Sequence, residues 1–482
     1  MLTLQNYKNV CLYSKKLLVN KKCSLVRVSN PYLNVIREHP FFLRKYENIF
    51  TNKNRQGFIL VFFKNVSIIF CKFLFQFFYK ECSIPINQEN KILAIGHVTN
   101  FDVFNKNIDL QYGDFFKKVR KKNIFFFYIN QTSHKFNIKK KIKRKCTNYY
   151  IFNFKVSFPL FLKFFYLCFK DFLNLLMISA KIKKSSSEKS YTINAALSSF
   201  SYSTIQNLIF YAKLKSLIIN SSINKIITTF EGHPFEKIVF HIANELSIPS
   251  EAYQHSFVSR YQHSMFLDLG SSFRPNKILT SGKNTFDILK CHFSKKTKVE
   301  LIGSTKSIHL PSVCQNYKSF TCLVIPEGFY DETYYLLSFC VNYLKKYDNV
   351  KFILRLHPEI EKNKLIKKYP LLNFHNKNFF FSDSKILDDV KKCNLALYRG
   401  STFAAQAIGF GLKPYYLKRK NEIEIDSLWL FTNRFKEKVL NVNEFYNSLS
   451  KLQKQKQSHH LKKAISFSNN FYSKFQYKLV QQ

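Results

Sequence analysis

A chain of 482 residues predicts two to four domains at roughly 100–200 residues each, and its 46% hydrophobic and 17% aromatic content, with 53 Phe and 28 Tyr, excludes disorder as the main state. Lys plus Arg number 76 against 30 Asp plus Glu, a net charge of +46 that points to a polyanion or an anionic membrane surface. Only 12 of the 76 are Arg, and heavy use of Phe, Ile, Asn, Tyr and Lys beside 11 Gly is what A/T-rich codons produce without selection on charge.

The 11 cysteines, an odd number scattered from Cys11 to Cys393 without a C-x-x-C pair, speak against a disulfide framework and for a reducing compartment. The N-terminus lacks the basic region, apolar run and small-residue cleavage site of a secretory signal, so a cytoplasmic location is expected. Residues 1–90 read as an N-terminal extension to which the sequence assigns no chemistry. Two stretches, Phe58 to Tyr79 and Phe158 to Ala180, approach membrane-span length. They carry Lys64 and Lys72, and Lys163, Lys170 and Asp171, each costing about 2.5–3.5 kcal/mol near the middle of a span. Buried or amphipathic helices are therefore expected. The alternative is peripheral contact with the anionic inner membrane face, aromatic side down and lysines toward headgroups.

From Lys91 the pattern alternates short apolar runs with helical stretches. Lys91 to Gly96, Asn123 to Asn130, Tyr149 to Phe154, Lys225 to Phe230, Lys277 to Thr280 and Lys298 to Ile302 read as strands, with helices around 158–178, 201–217, 234–246 and 283–292. The segment KIKKSSSEKS, residues 181–190, reads as an exposed loop. A second series follows Pro311, with strands at 321–325, 351–356, 395–398 and 414–417 and helices at 333–346, 386–393 and 403–410. The expected fold is α/β, two Rossmann-like domains (91–310 and 311–440) facing a cleft, with a helical tail over 441–482. Ligands of such sheets sit beyond the carboxyl ends of the strands.

Three strands of the second unit end in polar turns: Pro326-Glu327-Gly328, His357-Pro358-Glu359 after Arg355, and Arg399-Gly400-Ser401-Thr402. Gly400 before Ser401 and Thr402 at a helix start offers hydroxyls and backbone N–H groups to a phosphate, and Arg355 and His357 add donors. In the first unit the densest constellation is Thr228-Thr-Phe-Glu231-Gly232-His233-Pro234-Phe-Glu236, followed by Tyr253-Gln254-His255-Ser256 and its echo Tyr261-Gln262-His263-Ser264. Glu231, at a strand end, is the candidate general base once partial desolvation raises its pKa, with His255 the runner-up. The spacings of His233, His241, His255 and His263 match no metal-binding pattern, so no metal is expected. No G-x-x-x-x-G-K-[ST], G-x-G-x-x-G or G-x-S-x-G is present.

The order E-G-H-P-F-E, Y-Q-H-S, I-P-E-G with Asp331 and Glu332 close behind, R-L-H-P-E, and Y-R-G-S-T with G-x-K-P downstream resembles bacterial surface-carbohydrate biosynthesis proteins of O-antigen and capsule loci, from about Lys91 to Leu430. Those proteins are similar to GT-B glycosyltransferases. The resemblance extends to sialyl-, Kdo- and polyol-phosphate transferases. It implies that His357, Ser401 and Thr402 bind the donor phosphate, that Glu327 and Gly328 line the nucleotide side, and that Gln406 stands where a ribose-binding Glu is common. The expected function is sugar transfer from a CMP-, CDP- or UDP-linked donor to a glycan or lipid-linked acceptor, without a cofactor. The alternatives are a polyol-phosphate transferase using a CDP-linked donor, a nucleic-acid-binding protein, which the scarcity of Arg disfavours, and an inactive scaffold.

Overall fold

Strands such as Ile92-Leu-Ala-Ile95 are apolar on consecutive residues, the pattern of strands covered on both faces. In the computed structural model they form two parallel sheets. The structure describes residues 2–19, 24–50, 57–75, 86, 89–98, 111–113, 123–130, 149–152, 155–183, 186–306, 319–432, 435–453 and 458–476; Gln76 to Tyr79, Asn153 and Phe154, and the boundary near Pro311 lie outside them.

The chain opens with α1 (Leu4–Leu18), α2 (Leu25–Ser29), α3 (Pro40–Leu43), a 3-10 turn over Arg44–Ile49, and α4 (Phe58–Phe75). The first α/β unit runs β1 (Ile92–Val98), β2 (Ile124–Asn130), β3 (Tyr149–Phe152), α5 (Phe158–Ala180), α6 (Ser187–Ser199), α7 (Tyr202–Ile219), β4 (Lys225–Thr229), α8 (Pro234–Glu245), β5 (Ser250–Gln254), β6 (Lys277–Thr280), α9 (Lys283–Phe293) and β7 (Lys298–Leu301). The second runs β8 (Phe320–Ile325), α10 (Tyr330–Leu344), β9 (Val350–Leu354), α11 (Lys362–Lys368), β10 (Phe379–Phe381), α12 (Ile386–Lys392), β11 (Leu395–Tyr398), α13 (Phe403–Gly409), β12 (Lys413–Leu417) and β13 (Glu437–Val439), followed by α14 (Val442–Leu452) and α15 (Ser458–Phe471).

The strand orders are β3-β2-β1-β4-β5-β6-β7 and β10-β9-β8-β11-β12-β13, every pairing parallel. Both sheets are doubly wound: growth runs outward from β1 through β3, then restarts on the other side at β4, and β8 and β11 repeat the device. The two expected Rossmann-like domains are present. Doubly wound sheets bind ligands in the crevice at the carboxyl ends of the two strands where the order reverses. That rule singles out the turns after β1 and β4, and after β8 and β11.

Residues 2–49 are not a detached extension. Tyr7, Val10, Leu18, Leu33 and Tyr46 share one hydrophobic core with Leu93, Phe127 and Ile226 of the first sheet. The segment 181–190 is not a loop throughout, because Ser186 accepts the N–H of Lys189 and starts α6. Strands β5, β10 and β13 carried no apolar signal long enough to announce them. The C-terminal tail returns to the first domain: α15 packs on α13 of the second domain and α9 of the first, and Lys474 bridges Ser304. Among the described residues one helix, α4, is long and apolar enough to cross a membrane.

Candidate active site

In the first domain the turn after β4 is fixed by a buried carboxylate. Glu236, in the first turn of α8, accepts the N–H groups of Glu231, Gly232 and His233 and the hydroxyl of Thr229, at 2.7–3.0 Å. Gly232 adopts φ +94°, where a side chain would also strike the backbone of Met265. Thus Glu236 is occupied in holding the turn, and Glu231 and His233 project from it. Glu231 Oε2 lies 3.3 Å from His233 Nε2, while Oε1 accepts the Ser256 hydroxyl at 3.0 Å and lies 3.7 Å from His255 Nε2. Glu231, His233 and Ser256 open into a pocket of about 290 Å³, its mouth included, walled by Ile36, Arg37, Phe42 and Phe257.

The electrostatics revise the expected roles. Burial would raise the Glu231 carboxyl, but the imidazoles of His255 and His233 and the Arg37 guanidinium outweigh it and hold it well below the usual carboxylate range. Desolvation therefore does not make Glu231 a good base by itself. Burial works against protonated His233 too, yet Glu231 and Glu236 overcome it and raise its pKa. Burial pushes His255 down to about 3, despite Glu231 beside it, so this ring stays neutral and accepts a proton less readily than His233. His97, closing β1 with its ring 6.1 Å from that of His233, is pushed to about 4 by burial and by His233. Glu231 and His233 are thus a coupled pair, whose two groups titrate together.

On the second domain the rim after β8, β9 and β11 converges as expected, with two exceptions. Glu327 is buried against Gly400, where an added Cβ would come within 2.6 Å of its carboxylate. His357 lies over Gly328, a Cβ of which would meet Nδ1 at 3.1 Å. Burial lowers the His357 pKa to about 4, and its Nδ1 accepts the N–H of Glu359 at 3.2 Å. The neutral ring therefore carries its proton on Nε2 as a donor. Ser401 is buried, its carbonyl receiving the Ser427 hydroxyl at 2.7 Å, and Thr402 is hydrogen-bonded to Tyr472. Neither side chain caps α13, which is only seven residues long.

The exceptions are Arg355 and Gln406. Arg355 is drawn away from the crevice by Asp389, at 2.9 Å, and by the Ser384 carbonyl. Gln406 donates to the carbonyl of Lys306 at 2.6 Å, joining the second domain to the segment that leaves the first. Neither is placed to serve a ribose or a phosphate.

Beneath the rim Arg399 is buried between Glu332 at 2.8 Å and Glu422 at 2.7 Å, and donates to the Leu417 carbonyl. It ties the end of β11 to α10 and to the turn after β12, and so positions Gly400 and Ser401. Arg399→Met should lower unfolding free energy by about 3–5 kcal/mol, because two buried carboxylates are left to share Arg419 alone, at 3.3 and 3.5 Å; a denaturant midpoint matching the parent would refute this role.

The N-terminal segment supplies what the sequence did not disclose. Its backbone carbonyls at Val35 and Ile36 accept the N–H groups of Ser264 and His263, and Glu38 Oε1 accepts that of Tyr261. From there His39 reaches the second domain. Its Nδ1 accepts the Phe41 N–H, so Nε2 donates to Glu327 Oε2 at 2.9 Å. Phe41 stacks on Phe329 at 4.3 Å and Arg44 pairs with Asp331 at 2.6 Å. Burial would raise the Glu327 carboxyl, but His39, Arg37 and Arg399 lower it, so it is ionised. Its Oε1 is buried and has no hydrogen-bond partner among the described residues. Arg37 acts electrostatically on both Glu231 and Glu327, and Lys306 on both His255 and His357. The two crevices thus face one another across shared cations.

No family model matches the sequence, and no curated protein does. Among solved structures, the spinosyn rhamnosyltransferase SpnG is similar at a TM-score of 0.47 and 9% identity, over 81% of this chain and 99% of that one. The UDP-GlcNAc 2-epimerase from Neisseria meningitidis bound to UDP-GlcNAc gives 0.44 and 12%, over 81% and 98%, and MurG from Acinetobacter baumannii gives 0.40 and 10%, over 79% and 99%.

Proposed function

We propose that the chain is a glycosyltransferase that moves a sugar from a nucleotide-sugar donor on the second domain to a glycan or glycolipid hydroxyl in the pocket of the first. The observation that carries this reading is the Glu231–His233 pair opening into a pocket at the order reversal of one sheet, opposite Glu327 and Ser401 at the order reversal of the other, with His357 on the neighbouring turn after β9. An acceptor hydroxyl in the pocket gives its proton to the Glu231–His233 pair as its oxygen bonds to the anomeric carbon. The bond from that carbon to the donor phosphate breaks, and the electron pair leaves with the nucleotide. His357 Nε2–H, the Ser401 hydroxyl and the Lys306 charge stabilise the departing phosphate. The unpartnered Oε1 of Glu327 is the acceptor for a ribose hydroxyl. A single displacement inverts the anomeric centre. The motif order shared with surface-carbohydrate proteins supports a role in making O-antigen or capsule.

Thermal stability measured with CMP, CDP, UDP, GDP and TDP tests the donor site. At 100 times its dissociation constant the correct nucleotide adds about 2.7 kcal/mol of stability, and His357→Ala and Ser401→Ala should each diminish that gain while melting cooperatively when unliganded. Stabilisation by none of the five would overturn the assignment.

A further inference from the structure

Helices α4 and α5 pack side by side, Phe73 stacking on Phe161 at 4.1 Å and Phe62 on Phe172 at 5.2 Å. Each buries one stripe in the first domain: Ile69 and Phe73 on α4, and Phe161, Phe164, Cys168 and Leu175 on α5. Asn65 donates to the Leu197 carbonyl at 2.9 Å and ties α4 to α6. A surface helix ordinarily turns polar on its other face. Here the outward stripes are apolar as well, at Ile59, Phe63 and Leu74 on α4 and at Tyr166, Leu173 and Met177 on α5. Ile59 is 68% exposed and Tyr166 61%. Of the exposed large apolar side chains among the described residues, eight lie on α4 and six on α5, against seven elsewhere.

The exposed charges on the two helices have one sign. Lys64, Lys163 and Lys170 are exposed on the two helices. The single acid on either, Asp171, is turned inward and held by Arg27 at 3.0 Å and by the Ser199 hydroxyl. An apolar face of this extent on a soluble body marks a docking surface, and a rim of lysines without an outward acid is complementary to a polyanionic plane, as is the net charge of +46. Because its inner stripe and Asn65 bind it to the protein, α4 lies against the first domain.

We infer that α4 and α5 together dock the protein on an anionic lipid bilayer, both helices lying in the plane of the interface. Their outer stripes enter the boundary between headgroups and acyl chains, and the lysines sit among the headgroups. The inference is independent of the glycosyl-transfer reading.

Co-sedimentation of the full chain with phosphatidylcholine vesicles, with and without phosphatidylglycerol, tests it. Binding is expected to the anionic vesicles and to weaken about tenfold or more when Lys64→Glu and Lys170→Glu are combined. Leu74→Glu with Met177→Glu should release the protein at unchanged melting temperature; Phe63→Gln with Tyr166→Gln serves should that pair fail to fold. Three results would overturn the inference: no binding to anionic vesicles, binding untouched by the apolar replacements, or a lipid-free dimer by light scattering that the same replacements split into monomers, which would give the face to a second copy of the chain.

Discussion

Glu231→Gln is expected to lower kcat by about 10²–10⁴-fold, the range a positioned acid–base group supplies, while leaving the nucleotide-induced stabilisation intact. The pH profile separates a base from a structural carboxylate. His233 has a raised pKa because the carboxylates of Glu231 and Glu236 overcome its burial. As pH falls through that value the pair takes up a proton and can no longer accept one from the acceptor, so the parent rate declines on the acid side. Replacing Glu231 by a neutral amide removes one of the charges that raise His233. The acid limb of the residual activity must therefore move to lower pH. A kcat within a factor of about three of the parent, or an acid limb that stays in place, would refute the pair as base. The same shifts bound its contribution to stability. That of His233 is lost as pH rises through its raised folded pKa, and that of Glu231 is lost as pH falls through its lowered one, so the pair stabilises between the two.

The strands flanking each order reversal were legible because a parallel strand buried on both faces must be apolar at consecutive positions, as in Ile92-Leu-Ala-Ile95 and Leu395-Ala-Leu397. β5 was not, because its sequence Ser-Glu-Ala-Tyr-Gln is polar although wholly buried, with Glu251 neutralised by Lys225 at 2.9 Å. The rim residues Glu327, Gly328, His357, Gly400 and Ser401 were legible from the same topology, since turns after strands of one parallel sheet share one edge. Their partners were not. Arg355 read as an anion donor because nothing local shows that Asp389 on α12 claims it. The His-Pro of 357–358 recurs at 39–40 and 233–234, and in the structure both recurrences reach the site, each histidine standing just ahead of its helix, at α3 and α8. The hold of Glu236 on the N–H of His233 was within reach of a capping-box reading; the contact of His39 with Glu327 spans 288 positions and leaves no periodic trace.

His39→Ala is expected to destabilise the protein by about 3–5 kcal/mol, the cost of leaving one member of a buried pair alone, and to weaken nucleotide binding as well. Glu327 sits where burial would raise its pKa, and His39 heads the groups that keep it ionised. Its Oε1 already lacks a partner among the described residues, so removing His39 takes the donor from Oε2 and leaves the whole carboxylate buried and unsatisfied. Protonation relieves that strain, but the hydrogen bond from His39 that holds the N-terminal segment on the second domain is gone. Local opening should then follow along residues 31–43, read as faster amide exchange there than in β8 or β11. Arg44→Ala is the control on the same segment: its pair with Asp331 is exposed, and such pairs contribute about 0–1 kcal/mol. Glu327→Gln divides the two roles of the carboxylate, because the amide oxygen still accepts from His39 Nε2 while the charge is gone, so the segment should stay docked and nucleotide stabilisation should fall. If His39→Ala left both the exchange of residues 31–43 and nucleotide affinity at parent values, the segment would be packing against the second domain through Phe41 and Phe329 alone, and its histidine would have no part in the site.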